Sequence, residues 1–353
     1  MLNAAPLSQS VTPAASSALT DVPVIDISAY YDGTPEQRKV LGKQIDKVCQ
    51  SLGFLVITGH NVPLELIRST HAASRAFFDL PLATKKGYEP PNESIYRGYR
   101  GLNGATLAYS IDDAEALPDF RELYTINRFE IDDDDPYFAT PQAKRIFSPN
   151  IWPSEIPGVK ETWQAYYKAM EELATALMRL FALGLDLDER WFDDKIDKHM
   201  TNFCLSNYPD QPEALPKGQM RGGPHTDFGS LTILHTEDRP GGLEVQMADG
   251  EWRKVPIMPG AFIINLGDLM AQWTNDRWVS TMHRVVNPPR DQAIGSRRQS
   301  LIFFHQPNYD ARIECLPSCL AGGTPKYAPT TSGEHLLMKM QKTYEKPMAD
   351  AGT

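Results

Sequence analysis

The feature that most constrains this chain is the change of hydrophobic period after Phe203. From there the sequence breaks into short β-type runs, SLTILHTE, GGLEVQM, EWRKVPI, AFIINLGD, STMHRVV and QSLIFFHQ, separated by RPGG, ADG, MPG and TND. The runs are rich in β-branched and aromatic residues, and the separators carry the Gly, Pro, Asn and Asp that tight reversals need. Many short strands in succession bury their apolar faces best as a sandwich or jelly roll. The expected fold is mainly β with flanking helices.

The N-terminal half reads differently. VPVIDISAY is a strand after a proline, and TPEQRKVLGKQIDKVCQSLG repeats Val40, Leu41, Ile45 and Val48 at helical spacing. GFLVITGH is a second strand, and PLELIRSTHAASRAFFDLP a second amphipathic helix, opened by Pro63 and closed before Pro81. The stretch from Lys85 to about Pro157 is richer in Gly, Pro and Asp. Its DDDD at 132–135 lacks the alternating ligands and glycine of a calcium loop and is expected to be solvated. The strongest helix is VKETWQAYYKAMEELATALMRLFALGL, where Trp163, Tyr167, Met170, Leu173, Leu177, Leu180 and Phe181 form one apolar stripe. The expected organisation is a disordered tail at 1–20, an α/β region at 21–157, and a long core helix with its connection at 158–200. A β-rich core at 201–310 and a C-terminal segment with a helix at 311–353 complete it.

Composition excludes several classes. A hydrophobic content of 41% over 353 residues is enough for a substantial core. Acidic residues outnumber basic ones 45 to 35, giving a net charge of −10, and no Lys/Arg cluster offers a stripe for phosphates, so nucleic acid is not an expected partner. No apolar run approaches the roughly 20 residues of a membrane span, and the Ala/Ser-rich opening has no signal-peptide layout. A cytoplasmic location is expected. Cys49, Cys204, Cys315 and Cys319 show no paired zinc spacing and are expected to remain thiols.

One stretch carries chemistry. In GGPHTDFGS, His225 and Asp227 stand two apart, so on an extended strand both project from one face and can grip one ion. A third ligand must come from elsewhere, and His235, His283 and His305 all lie on β-type segments. His283 is preferred, because RRQSLIFF follows it and places Arg298 and Ser300 two apart on a strand. A guanidinium beside a hydroxyl is suited to clamp a carboxylate. Two imidazoles and one carboxylate on one face of an octahedral metal leave the opposite positions open for reactants.

Taken in order, H-x-D, a distant strand histidine and R-x-S resemble the isopenicillin N synthase-like family of iron(II)/2-oxoglutarate-dependent dioxygenases. VPVIDIS, GFLVITGHNVP and FFDLPLATKKGY are similar to its N-terminal region, and SNYPD, HTDFGSLTIL, GGLEVQ, PGAFIINLGDLM, STMHRVV and RRQSLIFF to its catalytic core. The resemblance implies a double-stranded β-helix (jelly roll) that binds Fe(II) through His225, Asp227 and His283. It also implies 2-oxoglutarate as co-substrate, its far carboxylate held by Arg298, Ser300 and Tyr208, and O2 as the third reactant. The implied activity is hydroxylation, desaturation or ring closure of a small, secondary-metabolite type of molecule, with release of succinate and carbon dioxide. The alternative within the family is an iron-dependent oxidase that does not use 2-oxoglutarate.

No general acid or base beyond the metal ligands is expected, nor any membrane partner, and the chain would act as a monomer or homodimer. For the substrate, the family's use of the strand after R-x-S points to Phe304, and IYRGYRG offers Arg97 and Tyr99, where an arginine would meet an acidic substrate. Arg121 and Glu122 are expected as structural charges and Trp273 as core. An enlarged turn, DQAIGS, separates His283 from R-x-S and makes Arg297 a rival, but its partner two residues on is Gln299. Ser206 stands where plant flavonoid relatives commonly carry Asn and is not assigned a role.

Overall fold

The computed structural model describes residues 21–92, 95–320 and 322–344; the tail expected at 1–20 lies outside them. The N-terminal half supplies β1 (Val24–Asp26), β2 (Phe54–Thr58), β3 (Gly98–Arg100) and β4 (Glu122–Asn127). Then come β5 (Asn202–Tyr208), β6 (Gly222–His225), β7 (Leu231–Thr236), β8 (Gly242–Gln246), β9 (Trp252–Lys254), β10 (Phe262–Leu266), β11 (His283–Val286) and β12 (Arg298–His305). An eight-stranded sheet runs β1-β2-β10-β7-β12-β5-β4-β3, and a four-stranded sheet runs β6-β11-β8-β9. The single parallel pair in these sheets is β1 with β2. Together the sheets form the jelly-roll core.

Period-two alternation divides the large sheet into two working faces. Along β12, Leu301 and Phe303 pack with Ile233, Ile264 and the Val159–Gly184 helix, whose Trp163, Tyr167, Met170, Leu173, Leu177, Leu180 and Phe181 are all buried. The alternate residues turn inward. Ile302 joins Leu234 of β7 and Ile263 of β10 against Leu243 and Val245 of β8, which holds the two sheets together. Leu234, Leu243 and Ile302 also line a cavity between the sheets.

The N-terminal α/β region is not a separate layer. Its four strands sit on both flanks of the large sheet, β2 beside β10 and β4 beside β5. The Pro- and Asp-rich stretch from Lys85 to Pro157, in which no element was assigned from the sequence, contains β3, β4 and short helices. Asp135 of the acidic run starts one of them, accepting the Tyr137 N–H at 2.9 Å. The C-terminal helix, Ser332–Tyr344, packs against the 3-10 turn Leu107–Ile111 and brings Leu336 and Met340 over the cavity.

Candidate active site

His225 ends β6 and His283 begins β11, and the two are register partners, so their rings lie only 4.2 Å apart between centroids. Asp227 follows two residues after His225, leaving the strand into a turn. His225 Nε2 is 3.7 Å and His283 Nε2 3.6 Å from Asp227 Oδ1, and all three side chains are buried. Among the described residues this is the one cluster of His, Cys, Asp and Glu whose ligand atoms converge within 4.8 Å.

The surroundings fix which atoms are free. His225 Nδ1 lies 2.8 Å from the Gly223 carbonyl and His283 Nδ1 3.1 Å from the Thr281 carbonyl. A carbonyl can only accept, so both Nδ1 atoms carry the proton and both Nε2 lone pairs face the centre of the cluster. Asp227 is oriented too: its Oδ2 accepts from Thr232 Oγ1 at 2.5 Å and from Asn265 Nδ2 at 2.7 Å, which leaves Oδ1 for the centre. Burial, reinforced by the neighbouring His283, pulls His225 down to about 3 and so keeps it neutral. Burial works against His283 as well, but the Asp227 carboxylate outweighs it and raises the group above its ordinary value. Burial opposes the Asp227 carboxylate also, yet the two histidines and the Asn265 amide hold it below the usual range. Negative charge that favours a proton at this point favours a metal cation equally. Two imidazole nitrogens and one carboxylate oxygen, all oriented by hydrogen bonds from behind, fit iron(II).

Arg298 and Tyr208 are register partners on β12 and β5, and Ser300 projects from the same face two residues on. Arg298 is 1% exposed; its Nη2 donates to Thr236 Oγ1, which also lies 2.8 Å from Ser300 Oγ. Its Nε and Nη1 have no acceptor. Burial pulls this guanidinium below its ordinary value, since no carboxylate pairs with it directly. Buried donors of a cation left unpaired are costly, so the arrangement calls for an anion. Space for the guanidinium comes from Gly242, which has φ +121° and where a Cβ would stand 2.3 Å from Arg298 Nη1. Arg297 faces the other way, donating to Asp79 at 2.5 Å and Asn207 at 3.0 Å.

The cavity between the sheets is lined by the three clustered residues, by Arg298, Ser300 and Tyr208, and by Phe304 and Arg97. Tyr99 does not reach it. On β3, Gly98 and Arg100 face the cavity while Tyr99 points to the opposite side, 1% exposed, its hydroxyl donating to Glu122 Oε2 at 2.7 Å. His235 pairs with His71 at 2.8 Å, and His305 lies 2.6 Å from Ser230 Oγ, so neither competes for the centre. Trp273 is core. Sequence reasoning missed Thr232, Asn265, Thr236 and Gly242, which orient or make room for the site. Thr232, Asn265 and Thr236 sit on strands whose alternation turns them inward, and a polar residue at an inward position was the available signal. It also missed Leu336 and Met340, whose approach depends on where a distant helix docks.

The fold and site define an iron and 2-oxoglutarate oxygenase. Residues 22–155 match the family model described as the N-terminal region of non-haem dioxygenase in morphine synthesis, and residues 198–307 match the 2OG-Fe(II) oxygenase superfamily. The chain belongs to this superfamily and is a dioxygenase that uses iron(II), 2-oxoglutarate and O2. It is similar to the 2-oxoglutarate-Fe(II) type oxidoreductase hxnY of Emericella nidulans, 35% identical over 93% of this chain and 91% of that protein. Validamycin A dioxygenase of Streptomyces hygroscopicus subsp. limoneus is 32% identical over 90% of this chain and 85% of its own. The crystal structure of a full-length Neurospora crassa protein in complex with alpha-KG superimposes with a TM-score of 0.78 at 30% identity, covering 90% of this chain and 95% of that one.

Proposed function

We propose that His225, Asp227 and His283 hold the iron, that Arg298, Ser300 and Tyr208 receive the far carboxylate of 2-oxoglutarate, and that the enzyme oxidises a C–H bond of a small secondary metabolite. The observation that carries this reading is the meeting, in one cavity, of three convergent ligand atoms and a buried guanidinium with unclaimed donors. O2 would be the oxidant, activated at iron(II) held by these residues, and 2-oxoglutarate would donate two electrons and leave as succinate and carbon dioxide. The protein's part is to position. Thr232 and Asn265 aim Asp227 Oδ1; the Gly223 and Thr281 carbonyls aim the two Nε2 atoms; Thr236 steadies Arg298 and Ser300 as one unit. Apolar walls at Ile302, Leu243 and Phe304 keep water from the reacting bond.

A secondary-metabolite substrate is supported by the relative named for validamycin A. All four cysteines are free thiols, which supports a reducing compartment such as the cytosol, where the chain acts as a monomer or homodimer. The test is an assay with iron(II), 2-oxoglutarate and O2 that measures succinate, first alone and then with a metabolite library. Succinate release stimulated by a metabolite, and lost in Asp227→Ala, is the expected result. Substrate oxidation without succinate would instead identify the oxidase alternative.

A further inference from the structure

Arg97 is a second buried arginine on the cavity wall, and nothing in the iron and co-substrate site uses it. It is 3% exposed. Its Nη1 donates to Tyr96 O at 2.6 Å and Asn202 Oδ1 at 3.0 Å, its Nη2 donates to the Ile146 carbonyl, and its Nε has no acceptor. Each of these acceptors is uncharged, and among the described residues no carboxylate pairs with it. Burial pulls the guanidinium down to about 10, which leaves it a cation at neutral pH. An unpaired buried cation destabilises a fold unless a partner arrives.

Charge balance isolates this residue. Iron(II) and Arg298 together match the charge of Asp227 and the two carboxylates of 2-oxoglutarate. Arg121 has its own partner, Asp119, at 3.5 Å. Arg100 is half-buried, lies 5.7 Å from the Tyr96 ring and donates to Ile95 O at 3.4 Å. Of the arginines on the cavity wall, Arg97 therefore carries the uncompensated buried charge.

The strand register locates it relative to the metal. Asn202, which Arg97 grips, is opposite Phe304 on β12; Phe304 is opposite Thr232 on β7; and Thr232 holds Asp227. Two strand spacings separate Asn202 from Thr232, on the order of 10 Å. Phe304 lies between them on the same face, and Leu107, Leu123, Leu336 and Met340 add apolar wall.

We infer that the substrate is a compact, largely apolar carboxylic acid, whose carboxylate docks on the Arg97 guanidinium and whose body lies along Phe304 with the reacting C–H toward the iron. This rests on the oxygenase reading above. A planar two-oxygen anion matches the side-on fork of a guanidinium, and a neutral isostere would leave it unpaired. The test titrates the wild-type enzyme, loaded with iron(II) and 2-oxoglutarate under argon, with 3-phenylpropionate, 4-phenylbutyrate and their primary amides in a calorimeter. The acids are expected to bind about 30-fold more tightly than the amides, the scale of leaving a buried charge unpaired. Arg97→Gln is expected to erase that preference while 2-oxoglutarate affinity stays unchanged. Equal or absent binding of acid and amide by the wild type overturns the inference, as does an Arg97→Gln variant that keeps the preference. The wild-type comparison decides alone if the variant folds poorly. Succinate release with the metabolite library, measured on the same preparation, tests the oxygenase reading separately, since its absence sinks both and its presence without acid preference sinks only this one.

Discussion

Asp227 has two oxygens with different tasks, and the division is enforced by two side chains that hydrogen-bond to it. Thr232 and Asn265 both donate to Oδ2, so the carboxylate cannot rotate to offer both oxygens to a metal. Asn265→Ala removes one of these constraints from a fully buried pair, and iron affinity is expected to fall about 10- to 100-fold with folding largely retained. Equilibrium titration with iron(II) checks this, and an unchanged affinity would show that Thr232 suffices. Gly242 acts on the co-substrate end. A methyl there meets Arg298 Nη1 at 2.3 Å on a backbone with φ +121°, so Gly242→Ala is expected to displace the guanidinium. The apparent KM for 2-oxoglutarate should then rise while iron binding stays as it was. Arg298→Ala removes the anchor outright, at a cost of about 2 to 5 kcal/mol in co-substrate binding. If co-substrate dependence survived in both variants, the assignment of this end of the cavity would be wrong.

Elements differ in how openly the sequence declared them. β12 was legible because an i, i+2 pair on a strand must share a face, and that rule puts Arg298 with Ser300. His225 and Asp227 were expected to share a face on an extended strand, but β6 ends at His225 and Asp227 reaches the same centre from the turn that follows. The same rule settles Arg297, which turns away toward Asp79. β3 and β4 were hidden, because short flanking strands in a Gly-, Pro- and Asp-rich stretch are held by pairing with β5 rather than by local propensity. Tyr99 shows what that costs, since without the strand there was no alternation to say that its ring faces the core. The C-terminal helix was expected, but its docking was not, because tertiary contacts alone set it. Lys339 ties this helix to Asp268 at 2.8 Å, and Leu336 and Met340 reach the cavity wall. Met340→Trp should therefore crowd the substrate end and leave the co-substrate end alone. The expected result is a raised KM or lost oxidation for any identified substrate, with substrate-free succinate release intact. Equal loss of both activities would mean that the helix supports the whole site and not one wall of it.

At the scale of the molecule, the residues proposed for iron and 2-oxoglutarate all fall in the second half of the chain, yet that half does not close its own sheet. β10 needs β2 on its outer edge, with Phe54, Leu55, Val56 and Ile57 all buried, and β5 needs β4. Polar ties cross the same boundary. Asp46 accepts from Arg277 Nη2 at 2.8 Å and from Trp278 Nε1 at 2.7 Å, so a helix of the first half anchors the loop that leads to His283. A chain beginning at residue 158 would keep every proposed ligand but expose two sheet edges and the apolar face those partners cover. Unpaired, hydrophobic edges associate with one another. That fragment is expected to aggregate, or to show secondary structure with no cooperative thermal transition, whereas the whole chain is expected to unfold as one unit. Circular dichroism and calorimetry on the two chains make the comparison. A soluble fragment that melts cooperatively and still binds iron would show that the jelly roll is self-sufficient and that the N-terminal strands are an accessory.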